Sequence, residues 1–314
     1  MRILSYYISF AVLLLLSSGK HNNCNELAFK QPLDRSYSTH VFGAAFHMIT
    51  PRNILVENYF QFMDSVVEKY DDLTPYKLSE HLIAHANSWI LDTLQNTDYY
   101  LMKARDSFVY DQRKMIVLPK GSTIIIPDSG HANTLVTELK KFRIDINIPE
   151  YKLRIFQDAT KLYEFDIRVG RDEKKFLAMS GRIEDLRTKT GEGRIVHFFK
   201  DPGYFNPVDN KQYFVTKRDD GKTTKLPKIP FLETEINGRR YGQLIHPTTN
   251  PSTLGKAYSN GCIGTREADA WTIYYYAPIQ TKINIRYDLE VIDDQGKQHH
   301  LEDIYGYGKS GIGK

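Results

Sequence analysis

The spacing of apolar residues changes near residue 146, and this change constrains the fold more than any other feature of the chain. Before it, residues 58–68 and 77–96 carry apolar side chains at intervals of three and four, which predicts amphipathic helices. After it, short runs alternate β-branched or aromatic residues with polar ones between Gly, Pro and Asp turns; these runs are 152–156, 161–169, 194–199 and 281–287. We therefore predict an α+β protein, with a mostly helical N-terminal region followed by mainly antiparallel sheets packed on each other.

Four further segments have a recognisable composition. Residues 114–127 indicate a small hairpin around Pro119-Lys-Gly121, and residues 134–141 indicate one more helix. Residues 200–228 form a long polar excursion, which fits either a lid over a cleft or a plain surface insertion. Residues 289–314 predict one hairpin and then a flexible, glycine-rich tail.

Length and composition set broad limits on the protein. A chain of 314 residues is long enough for about two domains, and 41% apolar residues with 12% aromatic residues are typical of a globular core. The net charge of +4 is small and comes from mixed signs spread along the chain, without the basic stripe of a nucleic-acid-binding protein. We expect no nucleic-acid partner, and a solvated surface accounts for the charge.

The N-terminus predicts export. Arg2 precedes a mostly apolar run, residues 3–16, and then small residues up to Gly19, which is the order of a secretory signal and is short for a membrane span. We expect residues 1–19 to be a signal peptide cleaved after Gly19, with an uncleaved N-terminal anchor as the alternative. Cys24 invites a lipoprotein interpretation, but polar residues rather than small apolar ones precede it.

The pair His246 and Cys262, sixteen residues apart, is the strongest indication of chemistry. A thiol with an ordinary pKa of about 8.5 is a weak nucleophile at neutral pH unless a base or a positive charge activates it. Residues 241–246 predict a short strand that presents His246 at its end, before Pro247 turns the chain. Since the only other cysteine is Cys24, Cys262 is expected to be a free thiol, either a nucleophile or a buried residue that only fills space.

The residues around Cys262 predict a tight turn followed by a helix. Thr265 is a suitable N-cap, residues 266–276 have helical composition, and Pro278 ends the run. The dipole of such a helix would favour a thiolate. Gly261 allows a conformation in which amide hydrogens of residues 259–262 converge, and this makes the turn a candidate oxyanion hole.

One pair of histidines has a metal-binding spacing. His81 and His85 lie four residues apart, on one face of the predicted helix. No glutamate follows His81 in the pattern of a metalloprotease, and no third ligand stands out. We interpret both as packing or surface histidines and expect neither a metal nor a cofactor.

His246, a spacer, and then Ser259-Asn260-Gly261-Cys262-Ile263 resemble the signature of the L,D-transpeptidase catalytic domain, also called the YkuD domain. The resemblance extends over residues 146–288. It includes an opening strand, a Thr-x-Thr-Gly strand, and the helix and closing strand after the cysteine; these are 148–156, 188–195, 269–276 and 281–288. We therefore divide the chain at 1–19, 20–145, 146–288 and 289–314, with no role assigned to residues 20–145.

The resemblance implies a cysteine acyltransferase of bacterial peptidoglycan. Cys262 would be the nucleophile, His246 the general acid and base, and a backbone carbonyl near Pro247 would orient the imidazole. Peptidoglycan stem peptides would be donor and acceptor, or a wall-attached protein the acceptor, in the periplasm or cell envelope. A carboxypeptidase or endopeptidase that uses water, and a wall-binding protein without activity, are the alternatives.

The chain also departs from the family pattern. Asn260 stands where many members have His, and Gly264 stands where many have Arg or Asn. Arg266 is the nearest residue that could replace the latter. Ser259 either donates to substrate or caps the turn, and Tyr241 and Tyr258 are candidates for lining the cleft.

Overall fold

The computed structural model of the chain describes residues 45–308. The predicted signal peptide and Cys24 lie outside these residues. Within the described part, no helix is long and apolar enough to cross a membrane. The N-terminal elements are, in chain order, β1 (Phe46–Ile49), β2 (Ile54–Leu55), α1 (Tyr59–Asp71), α2 (Glu80–Ala86), α3 (Trp89–Gln95), α4 (Tyr99–Ala104), β3 (Ile116–Leu118), β4 (Thr123–Ile126) and α5 (Ser129–Leu139).

The helices predicted from apolar spacing are present, with one interruption. Helix α1 covers the first predicted segment and buries one face, while the second segment divides into α2 and α3. Asn87 lies at the break, where its side-chain amide donates to the carbonyls of Ile83 and Ile125 at 2.7 and 2.8 Å. An asparagine that bonds to nearby backbone competes with the helical pattern, which explains the break.

The hairpin predicted around Pro119 and Gly121 is wrong. Strand β3 pairs with β2, and β4 pairs with β1, so the two runs belong to different two-stranded sheets. The segment around Thr50 lies between them, since its amide donates to the Ser122 carbonyl at 2.9 Å and its carbonyl accepts from Gly121 at 3.0 Å. An earlier segment of the chain therefore takes the partners that a local hairpin would have used.

The C-terminal elements are β5 (Phe142–Asn147), β6 (Lys152–Gln157), β7 (Thr160–Asp166), β8 (Val169–Gly170), β9 (Lys174–Leu177), β10 (Arg182–Asp185), β11 (Gly191–Phe199), β12 (Val215–Lys217), β13 (Thr223–Lys225), β14 (Phe231–Ile236), β15 (Arg239–Pro247), β16 (Ala257–Ser259), β17 (Ile263–Thr265), α6 (Glu267–Tyr276), β18 (Lys282–Arg286), β19 (Glu290–Ile292) and β20 (Gln298–His300). Eight of these strands form one sheet in the order β17-β15-β14-β11-β18-β5-β6-β7. The pairs β15–β17 and β5–β18 are parallel, and the others in this sheet are antiparallel.

The α+β fold class, with a mainly antiparallel C-terminal domain and a helical N-terminal region, is confirmed. The detail of sheets packed on each other is corrected, because one large sheet dominates the described residues. Helix α6 packs against β15 of this sheet.

Helix α6 connects the two regions. Its side chains are buried around nearly the whole circumference, including Trp271, Tyr274 and Tyr275, as expected for a helix in the centre of a core. It contacts β15 on one side and α2 and α3 on the other. His81 and His85 each place Nε2 within hydrogen-bonding distance of a carbonyl of α6, at 3.1 and 2.9 Å. The N-terminal helices therefore cover the helix that follows Cys262.

Candidate active site

Two parallel strands place the predicted pair on one face of the sheet. In the register of β15 and β17, Ile245 lies beside Ile263 and His246 beside Gly264. Ile245 and Ile263 are buried, whereas His246 and Cys262, which precedes β17, are half-buried. Because side chains alternate between the faces of a strand, His246 and Cys262 point to the more open face. The pairing thus brings them together although sixteen residues separate them.

The backbone fixes the orientation of His246. Its Nδ1 lies 2.8 Å from the carbonyl oxygen of Pro247, so Nδ1 carries the proton that donates to this acceptor. The ring packs against Phe231, with centroids 5.1 Å apart. Burial, and then the positive charge of Arg168, lower the pKa of His246 to about 4. The imidazole is therefore neutral at neutral pH, and Nε2 is available to accept a proton.

Cys262 is a free thiol that rests in its neutral form. Its Sγ lies 4.0 Å from the carbonyl oxygen of Gly242. Burial raises the pKa of the Cys262 thiol, and the Leu244 amide and the charge of Arg168 only partly offset this. The Cys262 thiol and the His246 imidazole are thus both neutral at neutral pH, rather than a preformed thiolate and imidazolium.

The predicted role of the helix after Cys262 is corrected. Strand β17 separates the cysteine from α6, which begins at Glu267, and the N-cap position is Arg266 rather than Thr265. The hydroxyl of Thr265 instead donates to the Arg266 carbonyl at 3.1 Å. Because the effect of a helix dipole fades within one turn, α6 does not activate the thiol.

The turn before Cys262 is held by its own side chains. The hydroxyl of Ser259 donates to the Cys262 carbonyl at 2.5 Å and accepts from the Gly261 amide at 3.2 Å. Gly261 has a φ of +111°, which other residues rarely adopt. The side-chain oxygen of Asn260 accepts from Arg171 at 2.5 Å. The Gly261 amide is thus bound within the turn, which revises the expectation that it joins the Cys262 amide in an oxyanion hole.

Two residues to which the sequence analysis assigned no role at this turn, Thr188 and Tyr305, support it from behind. The hydroxyl of Thr188 donates to the Gly261 carbonyl at 3.0 Å and accepts from the Gly170 amide at 2.8 Å. The hydroxyl of Tyr305 donates to the Gly170 carbonyl at 2.5 Å and accepts from the Thr188 amide at 3.2 Å. Tyr305 is only 4% exposed, although it lies in the segment expected to be a flexible tail. The C-terminal segment therefore supports the turn before Cys262.

A third such residue, Arg168, occupies the space beside Gly264. A Cβ built on Gly264 would lie 2.5 Å from Nε and 2.8 Å from Cγ of Arg168. Arg266, which was the expected replacement, is exposed at the start of α6 and interacts with Asp269. Arg168, and not Arg266, thus fills the position two residues after the cysteine. The only indication of this in the sequence was Gly264 itself, at a position where many family members have a larger side chain. A glycine permits close approach of another segment of the chain.

The remaining candidates lie at the rim of the site. Tyr258 is 59% exposed, and its phenol is close enough to Arg168 to affect its pKa. Tyr241 is 47% exposed and directly precedes Gly242, whose carbonyl faces the thiol. The structure gives no contact of the Tyr241 ring with His246 or Cys262.

The excursion at residues 200–228 reaches the site. Its Tyr204 packs on Phe231, with ring centroids 5.3 Å apart, and Phe231 in turn packs on His246. Its Arg218 forms an ion pair with Glu267 of α6 at 2.5 Å, and both side chains are at most 1% exposed. The excursion is therefore fastened at the base of the site, next to the start of α6.

No cluster of three metal-binding side chains occurs in residues 45–308. The comparisons with known proteins agree with the signature. The family model described as the L,D-transpeptidase catalytic domain, YkuD, matches residues 141–285. A curated relative called YkuD, from Bacillus licheniformis and assigned by name to the L,D-transpeptidases, is 24% identical over 165 residues, which are 52% of this chain and 74% of the relative.

Solved structures were also matched. An L,D-transpeptidase from Xylanimonas cellulosilytica is 12% identical with a TM-score of 0.34, and the match covers 76% of this chain and 97% of that chain. An L,D-transpeptidase from Mycobacterium smegmatis is 13% identical with a TM-score of 0.32, over 46% of this chain and 58% of that chain. The family match covers the strands and the turn that carry His246 and Cys262. Residues 141–285 therefore match the L,D-transpeptidase catalytic domain family.

Proposed function

We propose that this protein is an L,D-transpeptidase that acts on peptidoglycan stem peptides through a thioester on Cys262. The observation that carries the proposal is the arrangement on β15 and β17. His246 is fixed by the Pro247 carbonyl and neutral, and it lies on the same open face as a free cysteine. A neutral imidazole beside a neutral thiol is the arrangement that general-base activation requires.

The first half-reaction forms the thioester. As Sγ attacks the carbonyl carbon of the bond before the terminal D-amino acid, Nε2 of His246 takes the thiol proton. The C–N bond then breaks, and the same proton moves from the imidazolium to the departing amine. The products are an acyl-enzyme and a free D-amino acid, and His246 is neutral again.

The second half-reaction transfers the acyl group. An acceptor amine gives a proton to His246 as its nitrogen attacks the thioester carbonyl, and the C–S bond breaks. The thiolate recovers the proton from the imidazolium. The acceptor amine would belong to a neighbouring stem peptide or to a wall-attached protein, and the enzyme would work in the cell envelope after export.

The Cys262 amide is the proposed main donor to the oxyanion. It lies next to the attacking sulfur, in a turn that Ser259 and Thr188 hold from two sides. The Gly261 amide would join it only if its long bond to Ser259, 3.2 Å, were given up during the reaction. A preorganised donor of this kind lowers the barrier by about 2.7–4 kcal/mol.

The proposal is tested by intact mass after incubation with a carbapenem, a compound that acylates nucleophilic residues. Wild type should gain one adduct, Cys262→Ala should gain none, and Cys24→Ala is the matched control that keeps the adduct. An adduct on Cys262→Ala, or none on folded wild type, would refute a reactive Cys262.

The fate of the acyl group separates the alternatives. A synthetic tetrapeptide donor is incubated with wild type, with and without a diamine acceptor. Transpeptidation predicts the cross-linked product with the diamine. A tripeptide alone in both mixtures would indicate a carboxypeptidase. Absence of either product, together with wall binding that Cys262→Ala does not change, would indicate a binding protein.

A further inference from the structure

The guanidinium of Arg168 is held in a fixed place within the candidate site. The Arg168 amide donates to the Gly264 carbonyl at 2.9 Å, and the Gly264 amide donates to the Arg168 carbonyl at 3.0 Å. The side chain then crosses the position where a Cβ of Gly264 would lie. Because Gly264 is the register partner of His246 and lies two residues after Cys262, the positive charge is beside both reacting groups.

This positive charge has no anionic partner within residues 45–308. No carboxylate oxygen lies within 4.0 Å of an Arg168 nitrogen, and its side chain makes one hydrogen bond, from Nη1 to the hydroxyl of Thr253 at 3.2 Å. Its Nε is buried and has no acceptor. Burial lowers the pKa of Arg168, and the groups that oppose this are Cys262, Tyr213 and Tyr258 rather than an acid.

The buried Arg218 differs from Arg168, because its guanidinium has hydrogen-bond acceptors and a carboxylate partner. The guanidinium of Arg218 contacts the carboxylate of Glu267 at 2.5 Å, the hydroxyl of Thr224 at 2.9 Å and the amide oxygen of Gln112 at 2.7 Å. A half-buried guanidinium without such acceptors is costly for the fold, since its donors have lost water and gained little. Donors left open in this way favour an anion that arrives with the substrate.

We propose that Arg168 binds the terminal carboxylate of the donor peptide, that is, the carboxylate of the D-amino acid that leaves. This inference rests on the proposed function, because it assumes that Sγ attacks the bond before that residue. It makes Arg168 a specificity-determining residue, supplied from the segment before β8 to fill the gap at Gly264.

The distances fit one leaving residue. The bonds from the attacked carbonyl carbon through N and Cα to the carboxylate carbon add up to about 4.3 Å. The carboxylate C–O bond adds about 1.2 Å and a charge-assisted hydrogen bond adds about 2.8 Å, so the path is about 8 Å along its bonds and shorter in a straight line. The two-residue step from Cys262 to Gly264 along an extended strand is about 6.6 Å. A longer C-terminal extension would carry its carboxylate past Arg168.

The test compares two donors that differ only at this carboxylate. Acylation rates are measured for a tetrapeptide with a free C-terminal acid and for the same tetrapeptide with a C-terminal amide. We expect wild type to prefer the acid by at least roughly 30-fold, the lower end for loss of one partner of a buried charge pair. Arg168→Gln should lower the acid rate and leave the amide rate within about threefold, so that the preference disappears. Arg168→Lys should restore part of it, because a lysine keeps the charge but not the planar fork.

Three further variants separate this role from others. Arg182→Gln is the matched control, since Arg182 lies on the exposed strand β10 and its side chain is 75% exposed. It should keep the full preference, and so should Arg266→Gln if Arg168 reads the carboxylate. Gly264→Ala keeps every charge but displaces the Arg168 side chain, so it should also reduce the preference.

Each outcome supports or overturns the inference. The inference is overturned if folded Arg168→Gln loses both acylation rates equally, or if it keeps the wild-type preference for the acid. It is also overturned if Arg266→Gln loses this preference. If Arg168→Gln does not fold, Arg168→Lys and Gly264→Ala give the same ratio, and an unchanged ratio in both overturns it. Wild type that acylates both donors equally overturns the role of Arg168 alone. Wild type that acylates neither donor refutes the proposed function, and with it the inference.

Discussion

The pH dependence of acylation provides the most direct test of how the site is activated. The pKa of His246 is lowered to about 4, because the imidazole is buried and the charge of Arg168 disfavours a second positive charge beside it. The pKa of Cys262 is raised, because the thiolate is also disfavoured by burial. In the proposed mechanism the reactive form is this neutral pair, which is present at neutral pH and down to about pH 4, where His246 gains a proton.

The expected change of the acylation rate with pH follows from comparing the lowered pKa of His246 with the ordinary pKa of a histidine. At pH 5, a histidine with a pKa of about 4 is about 90% neutral, whereas one with the ordinary value of about 6.5 is about 3% neutral. We therefore expect the second-order rate of acylation by a carbapenem to fall by less than about twofold from pH 7.5 to pH 5. An unperturbed histidine would give a fall of about 30-fold. The shift of the His246 pKa corresponds to roughly 3 kcal/mol, at about 1.4 kcal/mol for each pKa unit.

The assay is quenched-flow mass spectrometry of the adduct between pH 4.5 and pH 8. Alkylation of Cys262 by iodoacetamide over the same range, with Cys262→Ala as the blank, follows thiolate formation independently. An acylation midpoint near pH 6.5 would refute a neutral, buried imidazole. Rapid alkylation that stays constant down to pH 5 would instead reveal a preformed thiolate and refute general-base activation.

Two stability predictions concern residues that fasten the site. Tyr305→Phe leaves the Thr188 amide without an acceptor and the Gly170 carbonyl without this donor, so unfolding should become easier by about 1–3 kcal/mol, with slower acylation. Arg218→Met leaves the carboxylate of Glu267 buried without its charge partner, and we expect a loss of about 3–5 kcal/mol. Urea unfolding followed by circular dichroism measures both.

The chain offers a matched control for each variant. Tyr307→Phe removes a phenol from the same aromatic cluster, but no hydrogen bond of this hydroxyl to the turn exists, so acylation should stay unchanged. Arg182→Met breaks the ion pair with Glu184 on an exposed strand and should cost about 0–1 kcal/mol. If Tyr305→Phe behaved like Tyr307→Phe, or Arg218→Met like Arg182→Met, the proposed support of the site would be contradicted.

The acidic side of the stability profile has a definite sign for His246. A histidine whose folded pKa is lowered from 6.5 to about 4 stabilises the fold fully above pH 6.5, and this contribution is lost as the pH falls through 4. His81 and His85 behave alike, because burial lowers each pKa to about 4. Asp269 acts in the opposite sense, since burial raises its pKa to about 7 and its contribution is lost as the pH rises through that value.

Local sequence determined the parts of this protein that depend on spacing along the chain. Apolar periods of three and four predicted α1 and the segment that divides into α2 and α3, and alternation predicted β6, β7, β11 and β18 of the large sheet but not β5, β14 or β17. The short segment with His246 and Cys262 was also readable, because the chemistry of a thiol needs a base, and the strand and turn that present both are encoded within a few residues.

Tertiary structure decided what depends on partners distant in the chain. The residues around Pro119 have the composition of a hairpin. Whether two strands pair depends on which other strand edges are nearby, and here the segment around Thr50 supplies β1 and β2 as the partners of β4 and β3. Likewise, the sequence shows at Gly264 only that a side chain is missing. Gly264 became a position for Arg168 because a segment nearly a hundred residues earlier pairs with it.

Dependence on residues distant in the chain also explains why the sequence did not predict the position of Tyr305. Its glycine-rich surroundings predict a tail, and nothing local indicates that its hydroxyl reaches Gly170 and Thr188. Hydrogen bonds of this kind are short-range in space but unrestricted in sequence separation, so spacing carries no information about them. The sequence by itself therefore predicted several strands of the sheet and the pair His246 and Cys262, and the tertiary structure decided which residues hold this pair and that Arg168 lies beside it.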